Sequence, residues 1–257
     1  MAGIPRLFLV AALTVRATFS GLRTLAFVAL ALVPSLIVLA ILAGGATSAS
    51  AASIAQTLFL TLTVRVVLLL TVLVVFVAPF RTEIEVDTLT YLTTRSIPRA
   101  SVAVGKYLGA VAASLALLLP ASFLPTALAG LAGAPAPDAT VLWAMLDVTL
   151  LAVLAYGGFF LLLGLVSRSA LVIGLIYGFL WEELILLLPG EFPRLTVLYY
   201  LLSVADLVAP NGAFATPLPP FPLGVAAAAP LLTAAVFLAL TAFLVRSVET
   251  APQRVSA

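Results

Sequence analysis

Residues Arg81–Lys106 read RTEIEVDTLTYLTTRSIPRASVAVGK, and seven of them carry a formal charge in a chain that is 64% apolar and 9% charged. Long apolar runs flank this stretch, Ile54–Phe80 before it and Tyr107–Ala129 after it. About 20 apolar residues wound as a helix cross a hydrocarbon core roughly 30 Å thick. The flanks therefore predict two membrane-spanning helices, and the charged stretch between them must stand in water. Soluble domains average about 45–50% apolar and about 25% charged residues, so this composition excludes a water-soluble fold. A β-barrel would show short alternating segments, and none occur.

Working outward, we read six spans: about Leu25–Ala43, Ile54–Phe80, Tyr107–Ala129, Val141–Val166, Ala170–Pro189 and Leu223–Val245. The connectors are short and turn-like: GGATSASAAS after the first span, GLAGAPAPDA after the third and SRS after the fourth. Lys and Arg gather on the side that faces the cytoplasm. With a cytoplasmic N-terminus that side holds Arg6, Arg16, Arg23, Arg81, Arg95, Arg99, Lys106, Arg168, Arg246 and Arg254, against Arg194 alone outside. Both termini are thus expected in the cytoplasm of a multi-pass plasma-membrane protein. The fold class expected is all-α and polytopic, with residues 1–257 forming one membrane domain.

Residues 4–22 predict an interfacial helix on the inner leaflet, because Phe8, Ala12, Val15, Phe19 and Leu22 share one stripe. Arg16 and Arg23 follow the short apolar run Leu7–Val15, where a signal-peptide cleavage region would be small and neutral. The longest outer loop, Glu191–Pro222, predicts a short helix over Leu195–Leu207 at the membrane surface. Tyr199 and Tyr200 would be its interfacial anchors.

The chain has neither Cys nor His, which removes the usual ligands of haem, iron–sulfur and thiolate–zinc sites. No metal-binding or catalytic residue is expected. The net charge of +2 is too small to argue for nucleic acid.

Within Arg81–Lys106 the acidic residues Glu83, Glu85 and Asp87 precede Thr88, Leu89 and Leu92, and Arg95, Pro98 and Arg99 follow before Gly105-Lys106. A short helix carrying Leu89 and Leu92 on one side would suit a groove on a soluble partner. The plainer reading is a solvated loop whose basic residues fix topology. Here the sequence resembles the permease subunits of ABC-2 type ATP-binding-cassette transporters. The shared pattern is Glu85, Thr88-Leu89, Leu92, Pro98-Arg99 and Gly105-Lys106. A second match is Trp181-Glu182 followed by Leu188-Pro189, similar to the Trp-Glu…Leu-Pro ending of the fifth span in many such permeases. Asp87 stands where the family usually has glycine.

The resemblance implies that residues 81–106 hold a coupling helix seated on a separate cytoplasmic ABC ATPase subunit. It implies that ATP and Mg bind that partner and that this chain is not itself an enzyme. It also implies that a second permease, identical or homologous, completes the complex. The residues agree that any ATPase is separate: Gly105-Lys106 has Ala100 five residues before the glycine and Tyr107 after the lysine, so it is not a phosphate-binding loop.

Four ionisable residues fall inside spans: Arg65, Asp147, Glu182 and Glu183. Each costs about 2.5–3.5 kcal/mol near the bilayer centre on insertion scales, so such groups face the bundle interior and find partners. Counted at about 1.5 Å per residue, all four reach the outer half of the membrane, where they could meet. One arginine cannot neutralise three carboxylates, so at least one is expected to be protonated or to face water. The group reads either as a structural ion pair or as the polar lining of a substrate path, with Trp181 beside it.

Adjacent glutamates also occur in prenyl-protein protease-like enzymes, but Leu187 stands in place of that pattern's arginine and the chain has no His. Gly105, Gly109 and Ala113, and Gly174 and Gly178, form small-residue stripes that let helices approach closely. Packing within the chain is expected before a dimer seam.

The leading expectation is a permease, and the resemblance implies an exporter. The alternatives are a non-transporting scaffold that couples an ATPase to assembly or signalling, and a proton-coupled secondary transporter working through Asp147 or Glu182. The third lacks the inverted repeats and broken helices expected of that class.

Overall fold

The computed structural model describes residues 4–85, 99–209, 214 and 221–247, and every regular element among them is helical. Helix α1 is Ile4–Thr18 and α2 is Leu22–Ala43. Gly44 ends α2, and Gly45 turns the chain at a φ of 86°. Thr47 then opens the next helix, its hydroxyl accepting from the Ser50 N–H at 3.3 Å. That helix runs through α3 (Ser48–Leu58), a π-helical stretch at Phe59–Leu68 and α4 (Leu69–Glu85). Ser48–Ser53 is therefore helical, although its run of serines reads as a connector.

Helix α5 is Arg99–Leu131 and α6 is Ala139–Val166. The segment after α6 runs as one helical course through α7 (Ala170–Leu175), a second π-helical stretch at Ile176–Glu182, and α8 (Glu183–Leu186). A 3₁₀ turn at Phe192–Leu195 leads into α9 (Val197–Val208), and α10 is Leu223–Ser247. Prolines inside α2, α4, α5 and α10 are accommodated without breaking these helices, as membrane helices allow where neighbours re-satisfy the freed carbonyls.

Among the described residues five helical stretches are long and apolar enough to cross a membrane: Thr24–Ala43, Ser48–Arg81, Ala100–Leu131, Ala139–Val166 and Leu223–Val245. The expected fifth span, Ala170–Pro189, differs. Its helical course is continuous through the π-helical stretch but ends at Leu186, short of the about 20 residues that a crossing needs, and it is not among those five. The chain has the make-up of a multi-pass membrane protein.

Helix α6 is the axis of the bundle, packed by α4, α5, α9 and α10. Val141, Met145, Val148, Ala152, Tyr156 and Phe160 are all buried on it. Lipid tails are as apolar as leucine, so helices in a bilayer associate through close packing rather than through the hydrophobic effect. Glycine makes that approach here. A Cβ at Gly164 would lie 2.7 Å from the Val77 carbonyl oxygen, and one at Gly157 would lie 2.5 Å from the Phe76 ring. By contrast α2 and α10 turn Leu25, Leu36, Leu232, Val236 and Phe243 outward, a face suited to acyl chains.

Helix α9 forms where a short helix is expected, but it packs into the bundle against α6 and α10. Leu198, Tyr199, Leu201, Leu202 and Val204 are buried there. Tyr199 is thus a core residue whose ring meets Phe221 edge-on at 5.4 Å, and not an exposed anchor. The contacts also set directions: α4 and α6 run the same way, while α5 runs against them, Tyr107 meeting Leu154 and Ser122 meeting Thr149. The end of the bundle at which Arg81 and Arg99 lie is the lower end, and Ser48 marks the upper one.

Candidate functional site

Two places gather the polar residues that the sequence singles out. The first is midway along the Ser48–Arg81 helix. Arg65 lies in its π-helical stretch, and Glu183 lies just beyond the second π-helical stretch. The Arg65 Nη1 donates to Glu183 Oε2 at 2.6 Å, and each side chain is 31% exposed. Wide π turns of this kind recur at functional sites, and here both members of the ion pair belong to or adjoin one. Gly174 and Gly178 bring the two elements together: a Cβ on either would strike the side chain of Leu73 or Leu69. That stripe is a seat within the chain.

Glu182 has a different environment from its neighbour. It is 1% exposed and accepts the Tyr177 hydroxyl at 2.6 Å, the Leu198 N–H at 2.9 Å and the Val197 N–H at 3.3 Å. The latter two are the first N–H groups of α9, which have no partner inside their own helix. Glu182 therefore caps α9 from another element, its carboxylate lying at the positive end of the helix dipole. Thr196 completes the cap through the Tyr199 N–H.

Asp147 stands apart. It precedes the buried Tyr156, a neighbour of Glu182, by nine residues on α6, about two and a half turns, so the two point to opposite sides. Asp147 is half-buried and makes no hydrogen bond or ion pair with a described residue. Arg65 and Glu183 thus pair, Glu182 beside them serves α9 instead, and Asp147 does not join them. Trp181 turns outward, 44% exposed.

The second place is the lower end, where four helices converge on Gly105–Gly109. A Cβ at Gly105 would lie 2.9 Å from Val10, and one at Gly109 would lie 2.5 Å from the Ala11 carbonyl oxygen, so α1 lies directly on this stripe. Lys106 is 3% exposed. Its ammonium donates to the Pro79 carbonyl at 2.6 Å and stands 4.2 Å from the centre of the Phe80 ring. Lys106 thus turns inward and ties α5 to α4. Tyr107 donates to the Leu154 carbonyl of α6 at 2.9 Å, and its ring meets Phe76 at 5.6 Å.

Both glycine stripes are occupied within the chain. The face of α1 that meets α5 carries Leu7, Val10, Ala11 and Thr14, while Phe8, Leu9 and Leu13 are exposed. The apolar stripe expected through Phe8 and Ala12 is thus the outward one.

Of the residues proposed to meet a partner, Asp87, Thr88, Leu89, Leu92, Arg95 and Pro98 lie outside the described residues. Glu83, Glu85 and Arg99 are helical in backbone, at the ends of α4 and α5 that lead to them. Among the described residues no group of three or more His, Cys, Asp or Glu could hold a metal ion. No protein-family model matches this chain, and no curated protein matches it in sequence.

Proposed function

We propose that this chain is the permease subunit of an ATP-driven transporter of the ABC-2 type, with six spans, both termini in the cytoplasm and a separate ATPase seated on residues 81–106. The observation that carries the reading is the junction at the lower end. The helices that lead into and out of that charged stretch are locked together by Lys106 on Pro79 and Phe80. The same few residues hold α1 and α6. A push on residues 86–98 would reach four helices as one body, which is what a segment that transmits the stroke of an ATPase requires. In this reading the short helical course Ala170–Leu186 is the sixth crossing, and both permeases of the complex would use the same arrangement. Export is the direction that the resemblance favours.

Co-purification decides the matter. The chain is expected to retain a nucleotide-binding subunit in mild detergent, and the Glu85→Ala, Leu89→Ala double variant is expected to lose it. Retention at the wild-type level by that variant removes the coupling assignment, and absence of any ATPase from the complex removes the transporter reading itself.

A further inference from the structure

Thr47, Ser50, Ser53, Thr57 and Thr61 follow one another at three- and four-residue intervals, and Arg65 continues the series. At that spacing residues share one helix face. Thr47, Ser53, Thr57 and Thr61 are exposed, and Ser50 and Arg65 are half-buried. The opposite face carries Ala51, Ala55 and Phe59, each buried. This helix therefore hides its apolar side and shows its polar one, the reverse of α2 and α10, which show leucine and phenylalanine.

The hydroxyls bond in file. Ser53 donates to the Ser50 carbonyl at 2.9 Å, Thr57 to the Ser53 carbonyl at 3.1 Å and Thr61 to the Thr57 carbonyl at 2.8 Å. One Ser or Thr bonded back to its own helix sits in hydrocarbon at little cost. A whole row of them that ends on a half-exposed ion pair does not suit acyl chains, since intramembrane charges normally face protein or water. Because each hydrogen is already given to the backbone, Ser53, Thr57 and Thr61 present lone pairs alone. The Glu183 Oε1, which no described residue donates to, adds a further acceptor at the end of the row, and the Arg65 charge beside it is neutralised by the same carboxylate, its Nε buried away from the face.

We propose that this face lines a hydrophilic groove that opens at the upper end of the bundle and descends to Arg65 and Glu183. Its ligand is a polar group rich in N–H donors, of which an alkylammonium is the simplest. The groove's part in transport rests on the permease reading above, while its existence and its ligand do not.

The chain has no cysteine, so single Thr57→Cys, Thr61→Cys and Leu36→Cys variants can be labelled in cells with a membrane-impermeant thiol reagent. A thiol in apolar surroundings stays protonated and inert, so the first two variants are expected to react at least about tenfold faster than the third. Reaction at neither Thr57→Cys nor Thr61→Cys, from outside or in inverted vesicles, overturns the groove. Reaction in inverted vesicles alone overturns its outward opening.

Octylammonium is expected to slow labelling of Thr61→Cys several-fold more than octyltrimethylammonium, which has the same charge and no N–H. Equal protection, or none, overturns the assigned ligand. Loss of ATPase co-purification would leave all of these labelling results standing.

Discussion

Glu182 and Glu183 are consecutive, yet one is enclosed by three donors and the other shares a half-exposed pair with Arg65. Their removal should therefore differ in cost. Glu182→Ala leaves two helix N–H groups and a phenol without acceptors, and each buried unsatisfied group costs about 1–3 kcal/mol. A clear drop in the unfolding midpoint in detergent is expected. Glu183→Gln breaks a partly solvated pair, for which about 1 kcal/mol or less is expected. Equal destabilisation by the two variants would contradict the cap. The presence of these charges is readable from sequence, because a carboxylate amid apolar residues stands out. Their division of labour is not, since the N–H groups that Glu182 serves belong to Val197 and Leu198, across an intervening turn. Asp147 shows the same limit: depth along a helix can be counted, but the side to which a residue turns depends on which neighbours pack there.

At the scale of elements, α1 rests on α5 through Gly105 and Gly109. Gly109→Leu would drive a side chain into the Ala11 backbone, and overpacking of this kind costs about 1–3 kcal/mol. Protease cleavage near residue 18 should accelerate in that variant while the rest of the bundle stays intact. A cleavage rate equal to that of the unaltered protein would show that α1 is not held there.

The long apolar spans are legible in sequence, with Val141–Val166 expected against Ala139–Val166 found, and Leu223–Val245 expected against Leu223–Ser247 found. The start of α5 is missed by eight residues because Arg99–Lys106 carries charge, and Lys106 hides that charge on a carbonyl and a ring. The start of α3 is missed because Ser and Thr favour caps and turns, and only Thr47 proves to be the cap. The π-helical stretches leave no mark in hydrophobic periodicity.

For the whole molecule, orientation and partners are the open predictions. A Ser96→Cys variant is expected to react with an impermeant thiol reagent in inverted vesicles and not in intact cells, and the opposite result would reverse the assigned topology. The fold class is legible because hydrocarbon thickness sets helix length. The site is less so, because it is made by helices meeting and by hydroxyls aligning.

Ser48–Arg81 is 34 residues of nearly continuous helix, roughly 50 Å at 1.5 Å per residue. A hydrocarbon layer of about 30 Å cannot contain it upright. The protein must lean this rod or let its ends stand proud, and either adjustment shifts with bilayer thickness. Reconstituted in lipids of graded acyl-chain length, it should work best at one thickness and fall off on either side, since Arg65 and the Lys106 bracket ride on or against that same rod.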